Sequence, residues 1–387
     1  MFVLHVHDRW SALGGADWHL VSLLDSWPGR VRVAGVFGRA DGSVPGGIKA
    51  PELFFIKKLD KKAPFYAEEQ VGRALTELIA ARGPDLVHVH NILNPRLLEA
   101  AARTGQALIT VQDHRFFCPG RGKVRADGAL CDRPLGPACS GCFEDEGYFL
   151  KVLELVRARL AALGEFRAVI TLSRYMKNEL VQAGLDEAKI HVIPPFAHGL
   201  DQASASPASG KDVLFVGRVV WAKGIFDLLE ALGLVDRAAR LIIAGAGAID
   251  EQVRARVREL GLENRVDFLG WTPHADLAGV YGRARLTVAP SRWQEPFGIV
   301  GLEAQSLGRP TVAYDVGGIR DWLEDGVTGL IAPPGDVPAL ASRLDLVLGD
   351  PGLAEELGRA GRDRAAAHFD RDVLMGRLIG LYRETAG

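Results

Sequence analysis

A chain of 387 residues exceeds the roughly 250–300 residues at which one hydrophobic core stops growing, so two domains are expected. Its 48% hydrophobic and 24% charged residues are ordinary for a globular protein, and no run approaches the roughly 18 apolar residues of a membrane span. A net charge of −2 provides no basic field to draw in nucleic acid. Integral membrane proteins and long disordered tails are excluded on these grounds. The opening residues, Met1 to Asp8, have no basic segment and read as a first strand rather than a signal peptide, so a cytoplasmic location is expected.

Short apolar runs alternate with segments of helical periodicity. In the first half, strands are expected at 2–7, 31–37, 86–90, 107–111, 168–172 and 191–193, and helices at 16–26, 68–82, 96–104 and 173–183. The pattern breaks at Pro194-Pro195, and residues 201–210, rich in Ala and Ser, have linker composition. Alternation restarts with strands at 213–216, 241–244, 265–269, 286–289 and 311–314, and helices at 225–232, 250–260, 299–307 and 337–348. A last amphipathic helix is expected at 370–385. Strand-helix alternation needs crossovers, and crossovers make parallel sheets. The expected architecture is α/β, with two doubly wound Rossmann-like domains at 1–194 and 195–368 facing a cleft. The charged run 57–62 reads as a solvated loop.

Ligands of open parallel sheets bind beyond the carboxyl ends of the strands, so the chemistry is expected in the loops there. Gly217-Arg218-x4-Lys223-Gly224 leaves a strand and opens a helix. A guanidinium grips phosphate oxygens in a fork and an ammonium acts as a point charge, so Arg218 and Lys223 suit a phosphate or diphosphate; two surface cations beside an ordinary turn is the bland alternative. After the strand at 286–289, Glu295 precedes a helix and Glu303 lies one turn inside it. Carboxylates accept hydrogen bonds from hydroxyls, and the N–H groups of Phe297, Gly298 and Ile299 can meet further oxygens. Together the loops suit a sugar joined to a diphosphate.

This pairing of Gly-Arg-x4-Lys-Gly with Glu-x7-Glu, followed by Asp315-Val316-Gly317-Gly318 and Asp325-Gly326-Val327-Thr328-Gly329, resembles the retaining glycosyltransferases of family 4, which have the GT-B fold. The resemblance spans nearly the whole chain. It implies transfer of a sugar from a nucleotide-diphosphate sugar to an acceptor hydroxyl. Arg218 and Lys223 would hold the diphosphate, Glu295 the transferred sugar and Glu303 the ribose. No divalent metal would be needed for the donor, because the cations and helix ends supply positive charge. Segment 369–387 would return to the first domain. The expected partners are the donor and a hydroxyl acceptor, with no nucleic acid and with room for peripheral association at the inner face of a membrane.

The first domain agrees with that resemblance. Gly14-Gly15-Ala16-Asp17 looks like the family's Gly-Gly-Ala-Glu turn, where the backbone approaches the donor phosphates. His90 and Asn91 end one strand and, with Asp113 and His114, are the candidates for the acceptor side, whereas His88 is the packed residue. Gln112 stands where the family commonly has a donor-contacting His, followed by Asp113 and His114, and His114 is a candidate to compensate. Rival readings are an epimerase of the same fold, a catalytically dead scaffold, a zinc-ribbon nucleic-acid binder, and a dinucleotide enzyme suggested by Ala244-Gly245-Ala246-Gly247. The last is weakened by Asp250, which replaces the third glycine of that fingerprint.

Cys118, Cys131, Cys139 and Cys142 form C-x12-C-x7-C-x2-C in an insertion over 118–142, with Asp127-Gly128 as a hairpin turn inside it. Four thiolates including a Cys-x2-Cys favour structural zinc, with an iron–sulfur cluster, disulfides and free thiols as the alternatives.

Overall fold

A computed structural model describes residues 1–387 except 28, 30, 47, 49–51, 60–68, 198–205 and 236–238. The end of the charged run, 60–62, and the start of the expected linker, 201–205, lie outside the described residues. The chain divides into two units. The first comprises Met1–Pro195 and Arg371–Gly387, and the second Phe196–Asp370.

In the first unit, strands β1 (Phe2–His7), β2 (Arg32–Phe37), β3 (Glu52–Phe55), β4 (Leu86–His90), β5 (Ala107–Val111), β6 (Ala168–Thr171) and β7 (Ile190–Val192) form one sheet in the order β3-β2-β1-β4-β5-β6-β7. Every pairing is parallel. Helices α1 (Gly15–Asp25), α2 (Glu69–Arg82), α3 (Pro95–Ala102), α4 (Glu146–Gly164) and α5 (Arg174–Gln182) provide the crossovers. Covered on both faces, β1, β4 and β5 are buried along their whole length, which is why they read as continuous apolar runs. Local capping sets the helix starts: the Asn94 side chain accepts from the Arg96 N–H with Pro95 at the first helical position, and Ser173 accepts from the Met176 N–H.

In the second unit, β8 (Asp212–Val216), β9 (Leu241–Ala244), β10 (Val266–Gly270), β11 (Ala284–Ala289), β12 (Thr311–Tyr314) and β13 (Gly329–Ala332) form a parallel sheet ordered β10-β9-β8-β11-β12-β13. Around it run α6 (Ile225–Leu234), α7 (Asp250–Glu259), α8 (His274–Arg283), α9 (Ile299–Ser306), α10 (Ile319–Trp322), α11 (Val337–Gly349) and α12 (Pro351–His368). The final helix, α13 (Arg371–Ala386), belongs to the first unit, where it contacts β4 and β5. No described helix is long and apolar enough to cross a membrane.

Residues 206–210 correct the linker reading. Pro207 is buried, and the Arg285 guanidinium donates to the carbonyls of Gly210 at 2.8 Å, Ala208 at 3.2 Å and Leu348. An Ala/Ser-rich composition hid the fact that a buried arginine from β11 ties these carbonyls into the second unit.

Candidate functional site

The second sheet reverses its strand order between β8 and β11, and the crevice outside the carboxyl ends of such neighbours is where open α/β sheets take ligands. The two loops singled out in the sequence leave these two strands. They touch backbone to backbone: Gly224 adopts φ 68°, and a Cβ there would overlap the Pro290 carbonyl oxygen. The Arg292 N–H donates to the Ala222 carbonyl at 2.9 Å. A third loop, after β12, closes on them. The Gly318 N–H donates to the Glu295 carbonyl at 2.8 Å and the Gly317 N–H to Gln294 Oε1 at 2.5 Å. Gly317, at φ 53°, lies so close to the Glu295 backbone that a side chain would collide with it.

At this junction Lys223 Nζ is 2.5 Å from Glu295 Oε1, with Ser291 Oγ donating to the same oxygen. Burial alone would push the Glu295 carboxyl up; the Lys223 ammonium and the hydrogen bonds from Lys223 and Ser291 override it and hold the group below its ordinary range. Glu295 is therefore a buried carboxylate, not a carboxylic acid. The Lys223 ammonium also lies 5.6 Å from the Trp293 ring centroid. Arg218 is exposed, and among the described residues no hydrogen bond or ion pair joins it to Lys223 or Glu295. The structure thus brings two of the three expected catalytic residues together.

Gly298 caps α9 at φ 89° with no side-chain cap, leaving the first-turn N–H groups, including that of Ile299, without a side-chain acceptor. The Phe297 side chain is buried and its carbonyl accepts the Trp322 indole N–H at 2.7 Å, so Phe297 offers a ligand only its backbone. Glu303 sits in a separate network: Oε1 is 3.2 Å from His274 Nε2, and Oε2 accepts from Tyr281 Oη at 3.2 Å. Burial and the Glu303 carboxylate raise the Tyr281 phenol well above its usual value, so it stays a donor. Ser291 and Tyr281 are partners of the two carboxylates that the loop motifs did not identify. Tyr281 lies on α8, a helix the periodicity did not reveal.

The Ala-Gly-Ala-Gly segment after β9 has a structural role. Side chains at Gly245 or Gly247 would collide with the carbonyls of Gly217 and Val219, and the Gly217 N–H donates to the Ala244 carbonyl at 3.1 Å. These glycines let one backbone lie against the Gly217–Val219 backbone, which removes the reason to read them as a dinucleotide fingerprint.

In the first unit the strand order reverses between β1 and β4. Gly14 caps α1 and Gly15 is its first residue. Gly14 has φ −137°, an extended conformation open to any residue; the constraint on it is Asp17 Oδ2, 3.1 Å from where a Cβ would stand. Asp17 is held by Arg9 at 3.0 Å (Nε) and 2.7 Å (Nη2), with His7 Nε2 3.7 Å from Oδ1. An anion approaching this helix end therefore meets a carboxylate already paired to Arg9, a cation the sequence reading did not single out.

The four expected acceptor-side residues sort differently. His90 is fully buried, 2.9 Å from His5 Nδ1 through its Nε2, and its ring centroid lies 3.8 Å from that of His88 with the planes tilted by 34°. It is as much a packed histidine as His88, because β1 contributes further imidazoles beside it. Burial and the neighbouring histidines lower both His88 and His90 well below 6.5, and burial lowers His5 to about 3. Ligand atoms of His5, His88 and His90 lie within 4.8 Å of one another. However, His88 already engages Tyr382 Oη (2.5 Å) through Nδ1 and Thr110 Oγ1 (2.7 Å) through Nε2, which leaves it no nitrogen for an ion. His114 is also buried, packed against Phe117 and Tyr175 with ring centroids at 5.4 and 5.9 Å. Asp113 is tied to Arg115, which donates through Nε at 2.8 Å and Nη2 at 2.5 Å. Burial would raise its carboxyl, but Arg115 outweighs burial and holds it low. Asp113 is accordingly a poor proton acceptor.

Asn91 and Gln112 keep unspent hydrogen-bonding capacity. They follow β4 and β5, adjacent strands paired through His90 and Thr110. Asn91 sits at φ 52° with Oδ1 buried and unpartnered, and both amide atoms of Gln112 are buried without a protein partner. Buried orphan amides are uncommon and point to a ligand or water.

The cysteine insertion carries the expected hairpin: Val124 bridges Leu130 in antiparallel fashion, and the Gly128 N–H donates to the Arg125 carbonyl at 3.0 Å. All four cysteines are free and line one cavity of about 280 Å³.

Residues 13–198 match the family described as Glycosyltransferase Family 4, and residues 200–364 match Glycosyl transferases group 1. An α-D-kanosaminyltransferase of Streptomyces kanamyceticus is 34% identical over 175 residues, covering 44% of this chain and 45% of that protein. A glycogen synthase of Mycobacterium tuberculosis is 34% identical over 216 residues, covering 53% and 51%. The chain thus spans about half the length of these curated relatives in the matched region. In fold, it is similar to sucrose-phosphate synthase from Thermosynechococcus elongatus (TM-score 0.77, 22% identity, 99% of this chain and 98% of that one). It is also similar to Anabaena HepE in complex with UDP and glucose (TM-score 0.74, 21% identity, 99% and 100%). With both matched segments in hand and the Lys223–Glu295 junction lying inside the second, the chain belongs to the family 4, group 1 glycosyltransferases of GT-B fold.

Proposed function

We propose that this protein is a retaining glycosyltransferase that moves a sugar from a nucleotide-diphosphate sugar to an acceptor hydroxyl. The observation that carries the reading is the contact of Lys223 with the buried Glu295 carboxylate at the carboxyl edge of β8 and β11. A cation and a carboxylate within one loop junction suit the two halves of a sugar diphosphate, the ammonium for phosphate oxygens and the carboxylate for sugar hydroxyls. Glu303 suits the ribose hydroxyls, and the uncapped N–H groups at Gly298 and Ile299 suit further oxygens. HepE, of similar fold, is described with UDP and glucose.

In this mechanism the acceptor oxygen attacks the anomeric carbon on the face from which the diphosphate leaves. The bond from that carbon to the phosphate oxygen breaks, and the acceptor proton passes to the departing diphosphate. The sugar keeps its configuration, and the products are a glycoside and a nucleoside diphosphate. Lys223, with Arg218 at the mouth of the same loop, stabilises the charge developing on the leaving oxygen. Lys223 and Arg218, together with helix N–H groups, supply this charge without a divalent ion.

The test screens nucleoside diphosphates by thermal shift, then assays the matching sugar nucleotides with hydroxyl acceptors and reads the product anomer by NMR. A preferred nucleotide and a product of retained configuration are expected. No stabilisation by any nucleotide, or an inverted product, overturns the proposal.

A further inference from the structure

We propose that Cys118, Cys131, Cys139 and Cys142 hold a single zinc ion as four thiolates, and that this ion fixes the fold of the insertion. Over 118–142 the buried apolar side chains are Cys118 and Val124, and regular pairing is limited to one bridge, Val124 with Leu130. A stretch of this length with so little apolar burial needs another source of order, which a metal site supplies by coupling ligation to folding.

The backbone brings the four cysteines around one cavity, with no three of their sulfurs all within 4.8 Å of one another. A 3-10 turn over Pro137–Cys142 presents Cys139 and Cys142 together, while the hairpin returns Cys131, whose N–H donates to the Lys123 carbonyl at 2.8 Å. The first and last cysteines of the motif meet at Gly120: a Cβ there would lie 3.6 Å from Cys142 Sγ and 3.8 Å from Cys118 Sγ. The Lys123 N–H points at Cys118 Sγ, 3.4 Å away, a hydrogen bond that favours a thiolate. The loop between them is fastened to α5, since the buried Lys123 ammonium pairs with Glu179 at 2.9 Å and donates to the Arg133 carbonyl at 2.9 Å.

All four sulfurs line the cavity of about 280 Å³, which is wider than a bare ion needs. Zinc–sulfur bonds near 2.3 Å place tetrahedral sulfurs about 3.8 Å apart, so the side chains turn inward and the cavity contracts on binding. Cys139 has the room for this, its sulfur now resting 3.9 Å from the Pro134 carbonyl. Zinc is favoured over an iron–sulfur cluster because Cys131, Cys139 and Cys142 are only half-buried and the cavity is rimmed by Arg125, Asp127 and Arg133. A redox-inert ion persists in such an open setting, and four sulfur ligands leave no open coordination position for chemistry. The insertion is also anchored to the turn that follows β5. The Cys118 N–H donates to the His114 carbonyl at 2.7 Å, so a ligand sits at the end of the turn that carries Gln112, Asp113 and His114.

The experiment measures metal in the full-length protein purified from zinc-supplemented cells. One zinc per chain is expected, with replacement by cobalt giving the intense sulfur-to-metal absorption of a tetrahedral four-thiolate site. Cys131→Ser and Cys142→Ser should lose the zinc, and Ser140→Ala should keep it. Chelation should open the insertion to limited proteolysis inside 118–142. Iron with inorganic sulfide, a disulfide found by mass spectrometry, or cobalt absorption lacking thiolate bands would each overturn the assignment. The cobalt and metal measurements need no variant to fold. None of these readouts uses sugar transfer, so either proposal can fail without the other.

Discussion

Lys223 and Glu295, 72 residues apart in sequence, meet at 2.5 Å because β8 and β11 are neighbours in the second sheet and their loops touch at Gly224 and Pro290. The pair has two separable roles. Lys223 keeps a buried carboxylate charged, and under the proposed function it would also offer a cation to a leaving diphosphate.

Lys223→Ala is therefore expected to cut kcat by roughly 10²–10³-fold at saturating donor, the usual cost of one donor to a developing oxyanion. It should also destabilise the fold by about 3 kcal/mol by leaving Glu295 buried and unpaired. Adding Glu295→Gln should restore part of the melting temperature and none of the turnover. Kinetics and thermal melts on the single and double variants check this; recovery of turnover in the double variant would show that the lysine acts only through the carboxylate.

Glu303 is poised by His274 and Tyr281 to accept hydroxyl donors. Hydrogen bonds to a charged group contribute about 1.5–3 kcal/mol, so Glu303→Gln should weaken nucleoside diphosphate binding by roughly 10–100-fold in calorimetry. Tyr281→Phe should weaken it less, because the carboxylate remains.

Gln112 holds two buried amide atoms without a protein partner. An unsatisfied buried polar group costs about 1–3 kcal/mol, so Gln112→Met should raise the melting temperature of the ligand-free protein while lowering turnover. A variant that loses stability together with activity would show that the amide is structural.

The histidine cluster makes a prediction about acid. The folded chain keeps His5, His88 and His90 neutral far below 6.5, whereas the unfolded chain protonates them near 6.5. The unfolded state then binds more protons, so stability rises with pH through this window and levels off above it. Each such histidine contributes on the order of 1.4 kcal/mol per pH unit. Urea midpoints should fall steadily from pH 6.5 to 4.5, above the range in which Glu295 and Asp113, both held low, begin to protonate. A flat profile over that interval would mean the imidazoles are hydrated.

Much of the fold was legible because strands buried on both faces are written as unbroken apolar runs, as at 2–7, 86–90 and 107–111, which match β1, β4 and β5. Helix α12 was missed for a matching reason. Its buried stripe is Ala354, Leu357, Gly358, Gly361 and Ala365, and with Leu357 the one large side chain among them it leaves little hydrophobic periodicity. Strand β3 is four residues long with both ends exposed. At the site, motif spacing singled out Lys223 and Glu295, which lie in loops that follow strands, and Glu303, about one turn inside the helix after the second loop. The fate of His90 was not legible, because it depends on β1 lying beside β4 and bringing His5 with it. Spacing within one strand cannot reveal a neighbour from another.

The first unit is assembled from both ends of the sequence, with Tyr382 of α13 bonded to His88 of β4. During synthesis the ribosome therefore releases a nearly finished sheet whose closing helix is not yet made, and must complete the whole intervening unit, Phe196–Asp370, before that helix emerges. The second unit is contiguous and can fold as it leaves the exit tunnel, while the first waits for α13 to emerge. A nascent chain stalled before residue 371 should carry a protease-resistant second unit and a first unit still open to cleavage.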